Sequence, residues 1–268
     1  MTESTESSRV IFQRGTHAIV TGGGHGLGKA IAVDLARAGA NVTLMGRDVT
    51  WLDSTMHELR SDFGIDARTV VCDVADPESV PVAFASAAEA LGAAHILINN
   101  AGHARSMPFC DTPLESWQRT IDVNLTGPFL CTQQVLPSML HASDGRIVNV
   151  ASTAALRGYA TLAAYCASKH GLLGMTRSLA AEVAQNGITV NAVCPGYTEG
   201  GMSDQAVQSI MSLRSVGADE AMGMLVRNNP RKRLTTQTEV SATVLWLCSQ
   251  DASAITGQAI AVAGGEVM

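Results

Sequence analysis

The sequence predicts an α/β fold: a single doubly wound parallel sheet, Rossmann-like, of about seven strands. Three features predict it. Short β-branched runs alternate with longer Ala- and Leu-rich segments of helical period along the chain. The runs read as continuous apolar stretches, the pattern of strands covered by helices on both faces. A glycine-rich turn follows the first run and leads straight into a helical segment.

The runs fall at His17–Thr21, Asn41–Met45, Ala67–Cys72, His95–Ile98, Arg146–Val150, Thr189–Cys194 and Ala259–Val262. Helical stretches lie between the first six, at Gly28–Ala38, Trp51–Phe63, Val80–Leu91, Leu114–Leu140 and Tyr165–Asn186. Right-handed crossovers then wind the sheet in both directions. The polar segment 1–14 reads as a flexible cytoplasmic tail, and 15–268 as one dinucleotide-binding catalytic domain. Residues 197–233 leave the sheet rhythm before the helix near Glu239–Leu247. An excursion of that length from a compact sheet suggests a helical substrate lid.

Composition narrows the function. Of 268 residues 46% are hydrophobic and only 4% aromatic, and the net charge is −6 with Lys and Arg scattered. That argues against a nucleic-acid surface. No apolar run approaches the ~18 residues of a membrane span, so no membrane partner is expected. Six cysteines, widely spaced without a CxxC pair, read as reduced packing residues, and no His pattern suggests a metal site.

The turn Thr21-Gly22-Gly23-Gly24-His25-Gly26-Leu27-Gly28 is a candidate phosphate cradle. Its glycines let the backbone approach a pyrophosphate, and the following helix offers free N–H donors and partial positive charge. After the second run, where a carboxylate would bind the ribose 2′-OH of NAD, the sequence has Gly46 followed by Arg47. That favours NADP, with Asp48 nearby as the opposing signal and His25 as a further cation when protonated. Asp73 after the third run is a candidate for the adenine amino group. Val74 and the segment Asn99-Asn100-Ala101-Gly102 lie where the adenosine would pass.

The candidate chemistry lies further on. Tyr165 and Lys169 are four apart at the start of a helical pattern, so both project from one face. An ammonium there would stabilise a phenolate and lower a pKa that is otherwise about 10. Ser152, just past the fifth run, would polarise a carbonyl oxygen. Asn124 is a poor mid-helix residue, suited to hold a water that links Lys169 to solvent.

Together these motifs resemble the classical short-chain dehydrogenase/reductase family over roughly residues 14–264. Thr21, Gly22, Gly26 and Gly28 match TGxxxGxG; Asn99 to Gly102 match NNAG; Asn124, Ser152, Tyr165 and Lys169 fall on the four catalytic positions; Pro195-Gly196 matches the PG step. The resemblance implies hydride transfer between a nicotinamide and a carbonyl/secondary-alcohol pair, with Tyr165 exchanging the substrate proton. It implies that Lys169 also binds the nicotinamide ribose, that Asn124 completes a proton relay, that Thr198 holds the carboxamide, and that the chain forms homotetramers.

The stretch from Arg146 to Pro195 is similar to bacterial 3-oxoacyl and polyketide ketoreductases. The expected substrate is therefore a 3-oxoacyl/3-hydroxyacyl thioester or polyketide-like ketone, linked to CoA or a carrier protein. Arg231, with Arg227, Lys232 and Arg233, would meet the phosphates of that arm, or the four form a solvated charge run. His103, with Arg105 and Met107, would line the substrate pocket. A polyol, sugar or cyclic alcohol is the alternative substrate, and a non-catalytic dinucleotide sensor the alternative function.

Overall fold

The computed structural model describes residues 11–268, so residues 1–10 of the expected tail lie outside the described residues. Order begins earlier than residue 15: Phe12 donates its N–H to Ala38 and packs against the core.

Among the described residues seven strands form one sheet: β1 His17–Thr21, β2 Asn41–Gly46, β3 Ala67–Val71, β4 Ile96–Asn99, β5 Gly145–Val150, β6 Ile188–Pro195 and β7 Ala259–Val262. Their order is β3-β2-β1-β4-β5-β6-β7. Every neighbouring pair is parallel. The winding reverses between β1 and β4, the kind of switch point where open α/β sheets bind ligands beyond the strands' carboxyl ends.

Helices α1 Gly26–Arg37, α2 Val49–Phe63 and α9 Gln237–Cys248 contribute to the hydrophobic cluster on one face. Helices α3 Ser79–Leu91, α5 Gly127–Ala142 and α6 Ala163–Val183 contribute to the cluster on the other. The division follows strand alternation. In β1, Ala18 and Val20 join the first cluster and Ile19 the second; in β4, Ile96 and Ile98 oppose Leu97 in the same way. Each fully buried Leu or Ile contributes ~1.5–3 kcal/mol.

The long helical stretch expected over 114–140 is two helices. Helix α4, Leu114–Ile121, runs into a wider π-type turn at Asp122–Thr126 before α5 begins. Such turns often mark functional positions, and this one holds Asn124. The excursion contains α7 Gly201–Arg214 and α8 Ala218–Leu225. All six cysteines are free thiols, and among the described residues no helix is long and apolar enough to cross a membrane.

Candidate active site

The glycine turn and the NNAG segment form one latched unit at the switch point. Thr21 Oγ1 accepts from the N–H groups of Asn100 and Ala101, each at 3.0 Å, and donates to the Ile98 carbonyl at 3.3 Å. Asn100 Nδ2 donates to the carbonyls of Thr21 at 3.0 Å and Gly22 at 3.2 Å. These two side chains hold the two loops together.

The glycines divide by what they face. A Cβ on Gly28 would stand 2.0 Å from the Gly22 carbonyl oxygen, so that position is closed by the turn itself. A Cβ on Gly22 would meet Asn100 Nδ2 at 2.9 Å, and one on Gly24 would meet the Leu52 backbone at 3.0 Å. Gly26 has φ +55°, and a side chain there would meet no protein atom within 4 Å. Helix α1 starts at that open face with no side-chain cap and no acid in its first turn. An open backbone cradle at a bare helix N-terminus fits a dinucleotide pyrophosphate. Leu27 is half-buried and packs on the core, while His25 is exposed, its ring edge-on to Trp51 at 6.0 Å between centroids.

The far end of the cradle carries charge. Arg47 is 70% exposed, its Nη1 4.0 Å from Asp73 Oδ2. Arg119, which the sequence reading missed, reaches the same oxygen at 3.1 Å. Burial pushes the Asp73 carboxyl up, but the Ala75 N–H and the Arg119 guanidinium outweigh it and hold the group below its usual range. Asp48 turns away to cap α2, accepting from Trp51 N at 3.2 Å. The Val74 side chain is buried against Gly127, in the core rather than in the cradle.

Around Gly102 the structure gathers Asn124, Ser152, Tyr165 and Lys169. A Cβ on Gly102 would lie 3.7 Å from Asn124 Oδ1 and 3.9 Å from Lys169 Nζ. Asn124 is fully buried and clamps the backbone of His103, accepting from its N–H at 2.8 Å and donating to its carbonyl at 2.7 Å. It also donates to Ser168 Oγ at 3.1 Å. Its amide thus fixes the segment after NNAG, and the π-type turn gives it the reach. The His103 imidazole is held below its ordinary pKa by burial and by the charges of Arg119, Arg105 and Arg47. Met107 donates its N–H to the Thr161 carbonyl at 2.8 Å, tying this loop to the approach of α6.

Ser152 follows Ala151 at the end of β5 with extended backbone, and its Oγ accepts from Ala154 N at 3.1 Å. That leaves its own proton to give, and the hydroxyl faces the Tyr165 phenol and favours its ionised form. Lys169 Nζ donates to the Val150 carbonyl at 2.8 Å and stands 5.7 Å from the centre of the Tyr165 ring. The electrostatics differ from the sequence expectation. Burial pushes the Tyr165 phenol up to about 12, against the lowering effect of the Ser152 hydroxyl. Burial also pulls the Lys169 ammonium down to about 8. Desolvation outweighs the charge because the ammonium is turned onto a backbone carbonyl rather than onto the phenol.

Beneath these residues lies a buried polar chain that sequence reasoning missed. Asn99 Nδ2 donates to Asn149 Oδ1 at 2.9 Å, and Asn149 Nδ2 donates to Thr176 Oγ1 at 2.9 Å, joining β4, β5 and α6. Polar residues within otherwise apolar strands were the available signal.

On the other side, Pro195 ends β6 and Gly196 turns toward Thr198, whose Oγ1 donates to the Gly196 carbonyl at 3.0 Å. The basic cluster is not a free patch. Arg231 and Arg233 share Glu239, at 2.7 and 2.6 Å, and Lys232 Nζ donates to the Arg227 carbonyl at 2.6 Å. Glu239 also completes the capping box of α9 with Thr236, so Arg231 helps anchor that helix.

Comparison with known proteins agrees with this geometry. The short chain dehydrogenase family model matches residues 16–210. A protein of Streptomyces violaceoruber described as a granaticin polyketide synthase ketoacyl reductase is 40% identical over 250 residues, covering 92% of each chain. A 3-oxoacyl-acyl-carrier-protein reductase of Aquifex aeolicus is 36% identical, covering 94% of this chain and 97% of its own. The crystal structure of an actinorhodin polyketide ketoreductase with NADPH superimposes with a TM-score of 0.90 at 37% identity, over 94% of this chain and 97% of that one. A dinucleotide cradle and a Ser–Tyr–Lys cluster at one sheet edge, together with these matches, establish that the chain belongs to the short-chain dehydrogenase/reductase family of NAD(P)-dependent oxidoreductases.

Proposed function

We propose that this chain is an NADPH-dependent ketoreductase acting on a 3-oxoacyl thioester or a related polyketide-like ketone. The observation that carries the reading is a Tyr165–Lys169 pair on one helix beside a Ser152 hydroxyl with a proton to give. Such a pair suits delivery of a proton to a carbonyl oxygen as it gains charge.

When bound, the nicotinamide supplies the hydride that reaches the carbonyl carbon. Ser152 donates a hydrogen bond to the substrate oxygen and orients it. The Tyr165 O–H bond breaks as the new O–H bond of the secondary alcohol forms. Lys169, its Nζ 5.7 Å from the centre of the Tyr165 ring, turns from the Val150 carbonyl to stabilise the phenolate left behind. Asn124 holds the His103 segment and, through Ser168, the first turn of α6 that carries Tyr165.

NADP is favoured over NAD because no free carboxylate ends β2: Asp48 caps its own helix and Arg47 is exposed. Asp73, held by Arg119, would accept from the adenine amino group, and Thr198 would meet the carboxamide. The thioester preference rests on the relatives, since two cations of the basic cluster already share Glu239. We read 197–233 as the substrate lid. The assembly is taken to be a cytoplasmic homotetramer, with Phe129 and Leu140 of α5 exposed at 47% and 38%. Polyol oxidation and a sensor role are not favoured.

A spectrophotometric panel tests the reading, with 3-oxoacyl thioesters, bicyclic ketones and polyols offered with NADPH/NADP and NADH/NAD in parallel. Highest kcat/KM for ketone reduction with NADPH is expected. Turnover confined to polyol oxidation with NAD would refute it.

A further inference from the structure

Ser152 opens a loop, residues 152–162, that no strand supports. Besides the Met107–Thr161 tie, a side chain far away in the chain holds it. Glu266, in the segment after β7, has a side chain only 5% exposed. Its Oε1 accepts from Arg157 Nη2 at 2.9 Å and from the Tyr159 hydroxyl at 2.7 Å. The same hydroxyl lies 2.7 Å from Oγ1 of Thr153, the neighbour of Ser152. The phenol has one proton for two contacts, so it donates to the carboxylate and accepts from the Thr153 hydroxyl. The Arg157 guanidinium lies over the Tyr159 ring at 4.5 Å from its centre. On its other side Glu266 faces the Pro195–Gly196 turn: a Cβ on Gly196 would stand 3.2 Å from Oε2.

We propose that Glu266 is a positioning residue for Ser152, acting through Tyr159 and Thr153 to keep the serine hydroxyl aimed at the substrate oxygen. The inference rests on the reading of Ser152 as the carbonyl donor. Thr153 is buried, so its orientation is passed along the backbone to its neighbour instead of being lost to solvent. Without the carboxylate the Arg157 guanidinium, whose Nε already lacks a partner, loses its ion pair, and the Tyr159 proton loses its acceptor. A hydroxyl displaced by a fraction of an ångström still binds but stabilises the transition state less well.

The test is a double-mutant cycle on ketone reduction with NADPH. Glu266→Ala should lower kcat about tenfold with the NADPH KM within about twofold, and Tyr159→Phe should do the same. Ser152→Ala alone should lower kcat about 100-fold. In the Ser152→Ala background, Glu266→Ala should add less than about twofold, because the group it positions is gone. A full tenfold loss in that background, or an unchanged kcat for Glu266→Ala alone, overturns the inference while leaving the role of Ser152 intact. An undiminished Ser152→Ala enzyme overturns both. Should Glu266→Ala fail to fold, Tyr159→Phe measured in both backgrounds decides the matter.

Discussion

Thr21→Val isolates the latch between the glycine turn and the NNAG segment. The substitution keeps the branched shape and removes one hydroxyl that makes three hydrogen bonds, to Asn100 N, Ala101 N and the Ile98 carbonyl. Thr21 is 2% exposed, so no water takes its place at the same atom. The Ala101 N–H loses its acceptor, while the Asn100 N–H keeps the Ile98 carbonyl at 3.1 Å. A buried orphan donor costs about 1–3 kcal/mol, and Ala101 is half-buried, where the lower part of that range applies. The expected destabilisation is therefore about 1–2 kcal/mol, or roughly 2–8 °C in Tm for a chain of this size. Denaturant and thermal unfolding measure it at matched protein concentration. The NADPH KM should rise as well, because Gly22 and Ala101 lose their fixed separation. A shift below about 0.5 kcal/mol with an unchanged NADPH KM would refute the latch.

Further outcomes follow from the charges at the site. Arg47→Ala should raise the NADPH KM about tenfold, near 1.4 kcal/mol, and leave the NADH KM within about twofold; equal losses would contradict the cofactor preference. Activity and stability should respond to alkali in opposite directions. Burial takes Lys169 down to about 8 from 10.5, while Tyr165 stays protonated to about 12, so ketone reduction should fall above about pH 8. The unfolded chain binds the Lys169 proton more tightly, so this group's contribution to stability grows as pH rises through that same window. A flat rate profile up to pH 10.5 would contradict the displaced ammonium.

Much of this was legible in the sequence because it is local. Continuous apolar runs gave every strand to within a residue or two, as in β1 and β7, since strands buried on both faces admit little else. The glycine turn was legible because Gly26 needs positive φ and an open face. Tyr165 and Lys169 share a helix face by spacing alone. What stayed hidden are pairings between distant segments. Thr21 and Asn100 read as cofactor ligands, yet they meet each other across 79 positions. Arg231 read as a phosphate contact, and Glu239, one turn into a different element, claims it. Arg157 and Glu266, 109 positions apart, carry no motif. The direction of the Tyr165 shift was also illegible. Spacing puts a cation nearby, but burial depth and the orientation of Nζ toward Val150 decide which effect wins.

The role of Tyr165 as proton donor is tested most directly by Tyr165→Phe, with single-turnover ketone reduction and NADPH binding by fluorescence followed on the same sample. The rate should fall by roughly 10²–10⁴-fold with the NADPH Kd within about twofold of the parent. A variant that reduces its ketone at the parental rate would contradict the account.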